Sequence, residues 1–126
     1  MRAAGFRRTV VKAYDHRCSM CGIRILTEEY HTAVNAAHIV PWSVSYNDDP
    51  RNGLALCGLC HWVFDEGLAT VSSNYTVILS KQLSSSKENM LGHLSTLARR
   101  EIILPSIQNY WPDLQAIEWH KQNVFK

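Results

Sequence analysis

Residues 36–67 read AAHIVPWSVSYNDDPRNGLALCGLCHWVFDEG. Cys, His, Asn and carboxylate side chains crowd into this stretch. Its local signals are ordered. Thr32 to Val40 is rich in β-branched and small residues and stops at Pro41, which predicts a strand. Asn47, Asp48, Asp49 and Pro50 are turn formers, so 42–51 is expected to be a loop. Asn52-Gly53 is a turn signal, followed by a short second strand at 54–56. Gly58 to about Glu66 reads as a short helix, with Gly67 as its C-cap. The stretch is therefore a strand, loop, strand, helix unit, with His38 on the first strand and His61 on the helix.

Two cysteines of this unit, Cys57 and Cys60, form a C-x-x-C knuckle. Its counterpart upstream is Cys18-x-x-Cys21, with 35 residues between the two pairs. Gly22 after the second cysteine suits a tight knuckle that needs positive φ. Four thiolates in two knuckles make a closed tetrahedral site that suits Zn²⁺. Such a site would tie the N-terminal helix to the central unit. Two rival readings exist. Cys57-Gly-Leu-Cys60-His61 matches the C-x-x-C-H pattern of c-type haem attachment, but that needs an exported chain and leaves Cys18 and Cys21 unexplained. A thioredoxin-like redox pair would need a βαβ context, which the pattern lacks.

Outward from this centre, Phe6, Val10, Val11 and Tyr14 follow helical spacing and predict an amphipathic helix over 5–15. Downstream, 68–71 and 75–79 read as a hairpin around Ser72-Ser73-Asn74. Residues 84–86 read as a linker, 87–100 as a helix weakened by Gly92, and 101–104 as a short strand. Pro112 suits the first turn of a last helix over about 112–123, with Leu114, Ile117 and Trp119 facing inward. Trp42, Trp62, Phe64, Trp111 and Trp119 are expected in the core.

The chain has 126 residues, which fits one domain. The expected layout is 1–31 for the first helix and knuckle, 32–67 for the central unit, and 68–126 for the hairpin and helical extension. At 46% hydrophobic and 19% charged, wholesale disorder is excluded. A net charge of +2 does not by itself point to nucleic acid. The distribution says more: Arg2, Arg7, Arg8, Lys12, Arg17 and Arg24 crowd the first 24 residues, where only Asp15 is acidic. Such a face can meet phosphates or simply be solvated. No run approaches the roughly 18 apolar residues of a membrane span, and no apolar segment follows Arg7-Arg8. A cytoplasmic protein without membrane contact is expected, in which free or metal-bound thiols prevail over disulfides.

Taken in order, A-A-H-I-V-P-W, D-D-P-R-N-G-L-A-L-C and C-H-W-V-F-D-E-G resemble the HNH endonuclease motif. Within that family they are most similar to HNH domains of predicted and modification-dependent restriction enzymes. The C-terminal I-E-W-H-K-Q-N-V-F is similar to the tail of that group, so the resemblance runs from about Phe6 to Phe125. It implies an α+β domain with a ββα-metal (HNH, His-Me finger) core, stapled by the four-cysteine zinc site, with flanking helices and a small hairpin.

The resemblance also implies roles. His38 would be the general base, a task suited to an imidazole whose unperturbed pKa is about 6.5. Asn52 would hold the loop and orient the His38 ring through its carbonyl. His61 would hold a catalytic divalent cation, Mg²⁺ or another such as Mn²⁺ or Ni²⁺, with Asp65 as a further ligand one helical turn on. Arg51, Arg7 and Arg8 are candidate DNA contacts. His16, His31, His93 and His120 are expected to be non-catalytic. Many members carry a metal-binding carboxylate just before the first His, and here that position is Ala37. Relatives in the restriction group often place a second His before the helix His, and here Cys60 stands there. The implied activity is metal-dependent hydrolysis of DNA phosphodiester bonds in a restriction-type system. Double-strand cleavage would need a homodimer, and target choice a fused or separate recognition domain. The alternative from another class is a zinc-stapled nucleic-acid-binding module without catalysis.

Overall fold

The computed structural model describes residues 2–126, with side chains from Ala4 onward. The Arg2 side chain, one of the basic N-terminal group, lies outside the described residues. Helix α1 (Arg2–Ala13) leads into the first knuckle, followed by strand β1 (Val34–His38), a single helical turn α2 (Trp42–Ser45) and strand β2 (Gly53–Cys57). Helix α3 (Gly58–Asp65) follows β2 without a break. A hairpin of β3 (Ala69–Val71) and β4 (Val77–Leu79), a short α4 (Lys81–Ser85) and a last helix α5 (Leu114–Asn123) complete the chain.

Strands β1 and β2 pair antiparallel, with Val34 opposite Cys57 and His38 opposite Gly53. This register puts one knuckle cysteine at one end of the ribbon and the candidate base at the other. Helix α1 packs on the ribbon through Phe6, Val10 and Val11, and Tyr14, just past its end, is buried with them. Gly53 permits the approach: a Cβ there would lie 2.7 Å from Val10 and 2.8 Å from Phe6. Helix α3 buries Cys60, Val63 and Phe64, an i, i+3, i+4 stripe. That leaves His61 and Asp65 on another face, and it leaves Trp62 56% exposed instead of in the core. A single apolar cluster runs from Phe6 through Leu54, Leu56 and Phe64 to Ile117. No helix among the described residues is long and apolar enough to cross a membrane.

Two expectations for the C-terminal third change. Residues 87–100 form no α-helix. Their helical part is a 3₁₀ turn, Gly92–Thr96, entered through Gly92 at φ +57. Leu91, Leu94 and Leu97 recur every third residue, the period of a 3₁₀ turn, and Leu94 and Leu97 are buried. In α5 the inward residues are Ala116, Ile117 and His120, while Leu114 is 45% exposed. Residues 101–104 contribute only an isolated bridge, Thr76 to Glu101.

Gly67 ends α3 at φ +76, as its C-cap position requires. A Cβ there would lie 2.1 Å from the Val124 carbonyl oxygen, because the C-terminal tail crosses directly over it. The Gly67 carbonyl accepts a hydrogen bond from the Lys126 N–H at 2.8 Å. Gly67→Ala therefore combines left-handed strain with a backbone clash, and is expected to cost more than about 2 kcal/mol. Urea denaturation measures this, and an unchanged midpoint would refute it.

Candidate functional site

The first knuckle is built by backbone bonds. The Cys18 N–H donates to the Ile23 carbonyl, the Gly22 N–H to the Cys18 carbonyl, and the Cys21 N–H to the Cys18 Sγ. Gly22 adopts φ +84, as the knuckle predicted. The Ser19 N–H then donates to the Ala55 carbonyl at 2.8 Å, which seats the knuckle on β2. Cys57 closes β2 and Cys60 lies in the first turn of α3. All four Sγ atoms lie within 4.8 Å of one another, and none is in a disulfide. A tetrahedral site with metal–sulfur bonds of about 2.3 Å has sulfurs roughly 3.8 Å apart. The Cys21–Cys57 separation is 3.7 Å. The cluster thus has the dimensions of a four-sulfur zinc site. A hydrogen bond from Cys60 lowers the Cys18 pKa, against burial that raises it, and the same bond raises that of Cys60. A thiolate is the form that binds metal.

The second site is a cleft of about 420 Å³ beside the ribbon, lined by Ala36, His38, His61, Asp65 and His120 among others. His38 comes from the end of β1, and His61 and Asp65 come from α3. The His38 Nε2 lies 2.8 Å from Asp48 Oδ1. Its ring stacks on Phe6 of α1, with centroids 4.0 Å apart and planes within 6°. His61 Nε2 lies 3.1 Å from Asp65 Oδ2, one helical turn away. The hydrogen bond that His61 donates to Asp65 raises the His61 pKa, and burial opposes it. A nitrogen and a carboxylate oxygen that already converge are a donor pair for a divalent cation.

Asn52 is fully buried. Its Nδ2 donates to the Val40 and Asn47 carbonyls, each at 3.0 Å, and its Oδ1 accepts from the Val40 N–H at 3.0 Å. It thereby pins both arms of the β1–β2 loop. None of these bonds reaches His38, so the contact expected from the Asn52 carbonyl is made by Asp48 instead. Ala37 is buried between cleft-lining Ala36 and His38 and does not itself line the cleft. Successive strand residues point to opposite faces, so a carboxylate at 37 would enter the core.

His120 is a cleft residue that the spacing did not single out. Its Nε2 faces the Phe64 carbonyl at 3.0 Å and its Nδ1 faces Thr70 Oγ1 at 2.8 Å. A carbonyl only accepts, so Nε2 carries the proton and Nδ1 accepts from the Thr70 hydroxyl. The ring also stacks on Phe64 at 3.7 Å. His120 thus joins α5, β3 and the end of α3 that bears Asp65. Burial lowers its pKa to about 4. The unfolded chain then takes up a proton between about pH 6.5 and 4 that the folded chain refuses. The full contribution holds above pH 6.5 and is lost as pH falls toward 4, roughly 3 kcal/mol in all. An NMR titration should leave His120 neutral at pH 5.5, and an inflection near 6.5 would refute this.

Arg51 is exposed, and its Nε donates to the Trp111 carbonyl at 3.0 Å, which ties it to the C-terminal segment. It does not line the cleft. Arg7 and Arg8 lie along α1 beside two grooves of about 540 and 440 Å³. Lys12 lines both, Tyr110 and Tyr30 line one each, and among the described residues no carboxylate lines either.

The HNH endonuclease family model matches residues 18–72. Among solved structures, the chain is similar to a modification-dependent TagI restriction endonuclease, with a TM-score of 0.66 and 26% identity. The similarity covers 96% of this chain and 38% of that one, so this chain spans well under half of that protein's length. No curated protein sequence matches it significantly. Residues 18–72 are thus similar to the HNH endonuclease family, and the chain is an α+β fold of the ββα-metal type.

Proposed function

We propose that this chain is the cleavage core of a restriction-type DNA endonuclease, with Zn²⁺ in the Cys18–Cys21–Cys57–Cys60 site and a catalytic divalent cation on His61 and Asp65. The observation that carries the reading is the shared cleft: one imidazole arrives from a strand, and an imidazole–carboxylate pair arrives from the facing helix. His38 takes a proton from the attacking water, whose oxygen bonds to phosphorus as the 3′-oxygen leaves. A divalent cation, when bound, supplies charge stabilisation at the phosphate and the leaving oxygen. Mg²⁺, Mn²⁺ and Ni²⁺ all suit an imidazole–carboxylate pair completed by water and phosphate oxygens. Asn52 keeps the loop beside the cleft in one conformation.

The carboxylate-free grooves along α1 support contact between Arg7, Arg8 and Lys12 and the DNA backbone. Arg51, held at its Nε, still presents its terminal nitrogens for a phosphate. One cleft cuts one strand, so a double-strand break takes two copies, and target choice falls to a fused or separate recognition domain.

The test is plasmid DNA incubated with the zinc-loaded protein and Mg²⁺, Mn²⁺ or Ni²⁺ in turn. Nicking with at least one of these ions, and none when the added ion is left out, is expected. DNA binding without cleavage under all three ions would instead identify a zinc-stapled binding module.

A further inference from the structure

We propose that Asp48 is the positioning residue for His38, selecting which ring nitrogen faces the substrate. The inference rests on the nuclease reading for its kinetic consequence but not for its geometry. An ionised carboxylate only accepts hydrogen bonds, so at 2.8 Å from Asp48 Oδ1 the Nε2 of His38 carries the proton. In the neutral ring the lone pair is then on Nδ1. The opposite tautomer would set a lone pair against the carboxylate. Phe6, stacked at 4.0 Å, restrains the ring plane while Asp48 restrains rotation within it. One nitrogen is committed to the protein, and Nδ1 remains to take the water proton. The imidazolium formed in that step keeps its Nε2–H on the Asp48 carboxylate.

Asp48 can do this because its loop is fixed on both sides. The Asn47 carbonyl accepts from Asn52 Nδ2, and the Asn47 side chain accepts from the Asp49 N–H at 2.9 Å. Asp49 in turn accepts from the Arg51 N–H at 2.8 Å. Buried Asn52 therefore acts on His38 at one remove: it fixes the loop, the loop carries Asp48, and Asp48 fixes the ring. This assigns a function to an aspartate in a run that otherwise reads as turn formers.

The experiment compares wild type, Asp48→Asn and Asp48→Ala as zinc-loaded proteins. Nitrogen-15 NMR of the histidine side chains reads the His38 tautomer, and single-turnover plasmid nicking with a separate DNA-binding titration reads the kinetics. Expected are a pure Nε2–H tautomer in wild type, a mixture in Asp48→Ala, and a fall of about 100-fold or more in the nicking rate of both variants with DNA affinity within threefold. The isosteric Asp48→Asn, checked for zinc content and circular dichroism, guards against a folding defect. An unchanged tautomer in Asp48→Ala, or nicking within threefold of wild type, overturns the assignment. If wild type cleaves nothing, the nuclease reading fails and the tautomer comparison still decides the role of Asp48.

Discussion

Cys18→Ser is expected to abolish cooperative folding, with loss of the zinc proposed for the four-cysteine site. Cys18 is completely buried, and its knuckle is stitched to β2 through Ser19 and to the 101–105 segment through the Ile103 N–H on the Ser19 carbonyl. A serine oxygen is a poorer and shorter-reaching ligand than a thiolate for the same tetrahedron. For sites of this kind metal binding contributes on the order of 10 kcal/mol or more to folding. That matches or exceeds the roughly 5–15 kcal/mol of net stability of a typical domain. The site also ties sequence positions 18–21 to 57–60, so its loss frees α1 from the ribbon and takes Phe6 away from His38. Elemental analysis of wild type should give one zinc per chain, and the variant should lose its near-ultraviolet dichroism and thermal transition. A variant that melts like wild type, together with indifference of wild type to strong chelators, would show that the cluster is not a structural metal site.

His38→Ala is expected to lower metal-dependent nicking by about 10²- to 10⁴-fold, the usual worth of a positioned general base. Its fold should survive. His38 is half-buried at the end of β1, and the pairing of its backbone with Gly53 does not depend on the side chain. DNA affinity should change little, because the proposed phosphate contacts on α1 lie in grooves that His38 does not line. The measurement is single-turnover cleavage at saturating protein, with circular dichroism and zinc content as controls. Activity that persists in His38→Ala would remove the residue from the base role while leaving the fold assignment intact. The two variants separate the two sites: loss of a cysteine should destroy structure, whereas loss of His38 should leave structure and remove the proposed chemistry.

What the sequence determined by itself was whatever depends on short spacing. Two C-x-x-C knuckles imply a closed four-sulfur site wherever the chain brings them together. His61 and Asp65 must share a face because they are one turn apart on a helix. Gly22 and Gly67 stand where the backbone needs positive φ. Even the exposure of Trp62 was implicit in that helical period, since Cys60, Val63 and Phe64 claim the buried stripe, although aromatic bulk argued for the core. The tertiary structure decided the contacts between residues far apart in the chain or hidden in irregular loops. Asp48 lies ten residues from His38 in a run of turn formers, and no periodicity says which carboxylate of that run reaches the ring. Phe6 reads as an ordinary core residue until α1 lies across the ribbon and stacks it on the imidazole. His120 has no local partner at all; Thr70 and the Phe64 carbonyl meet it only when α5 folds back over α3 and β3. Local backbone geometry is fixed by neighbours in sequence, and so a sequence can be read for it. The orientation of a side-chain ring is fixed by whatever packs against it, and for His38 that is Phe6 from one end of the chain and Asp48 from the loop that Asn52 holds.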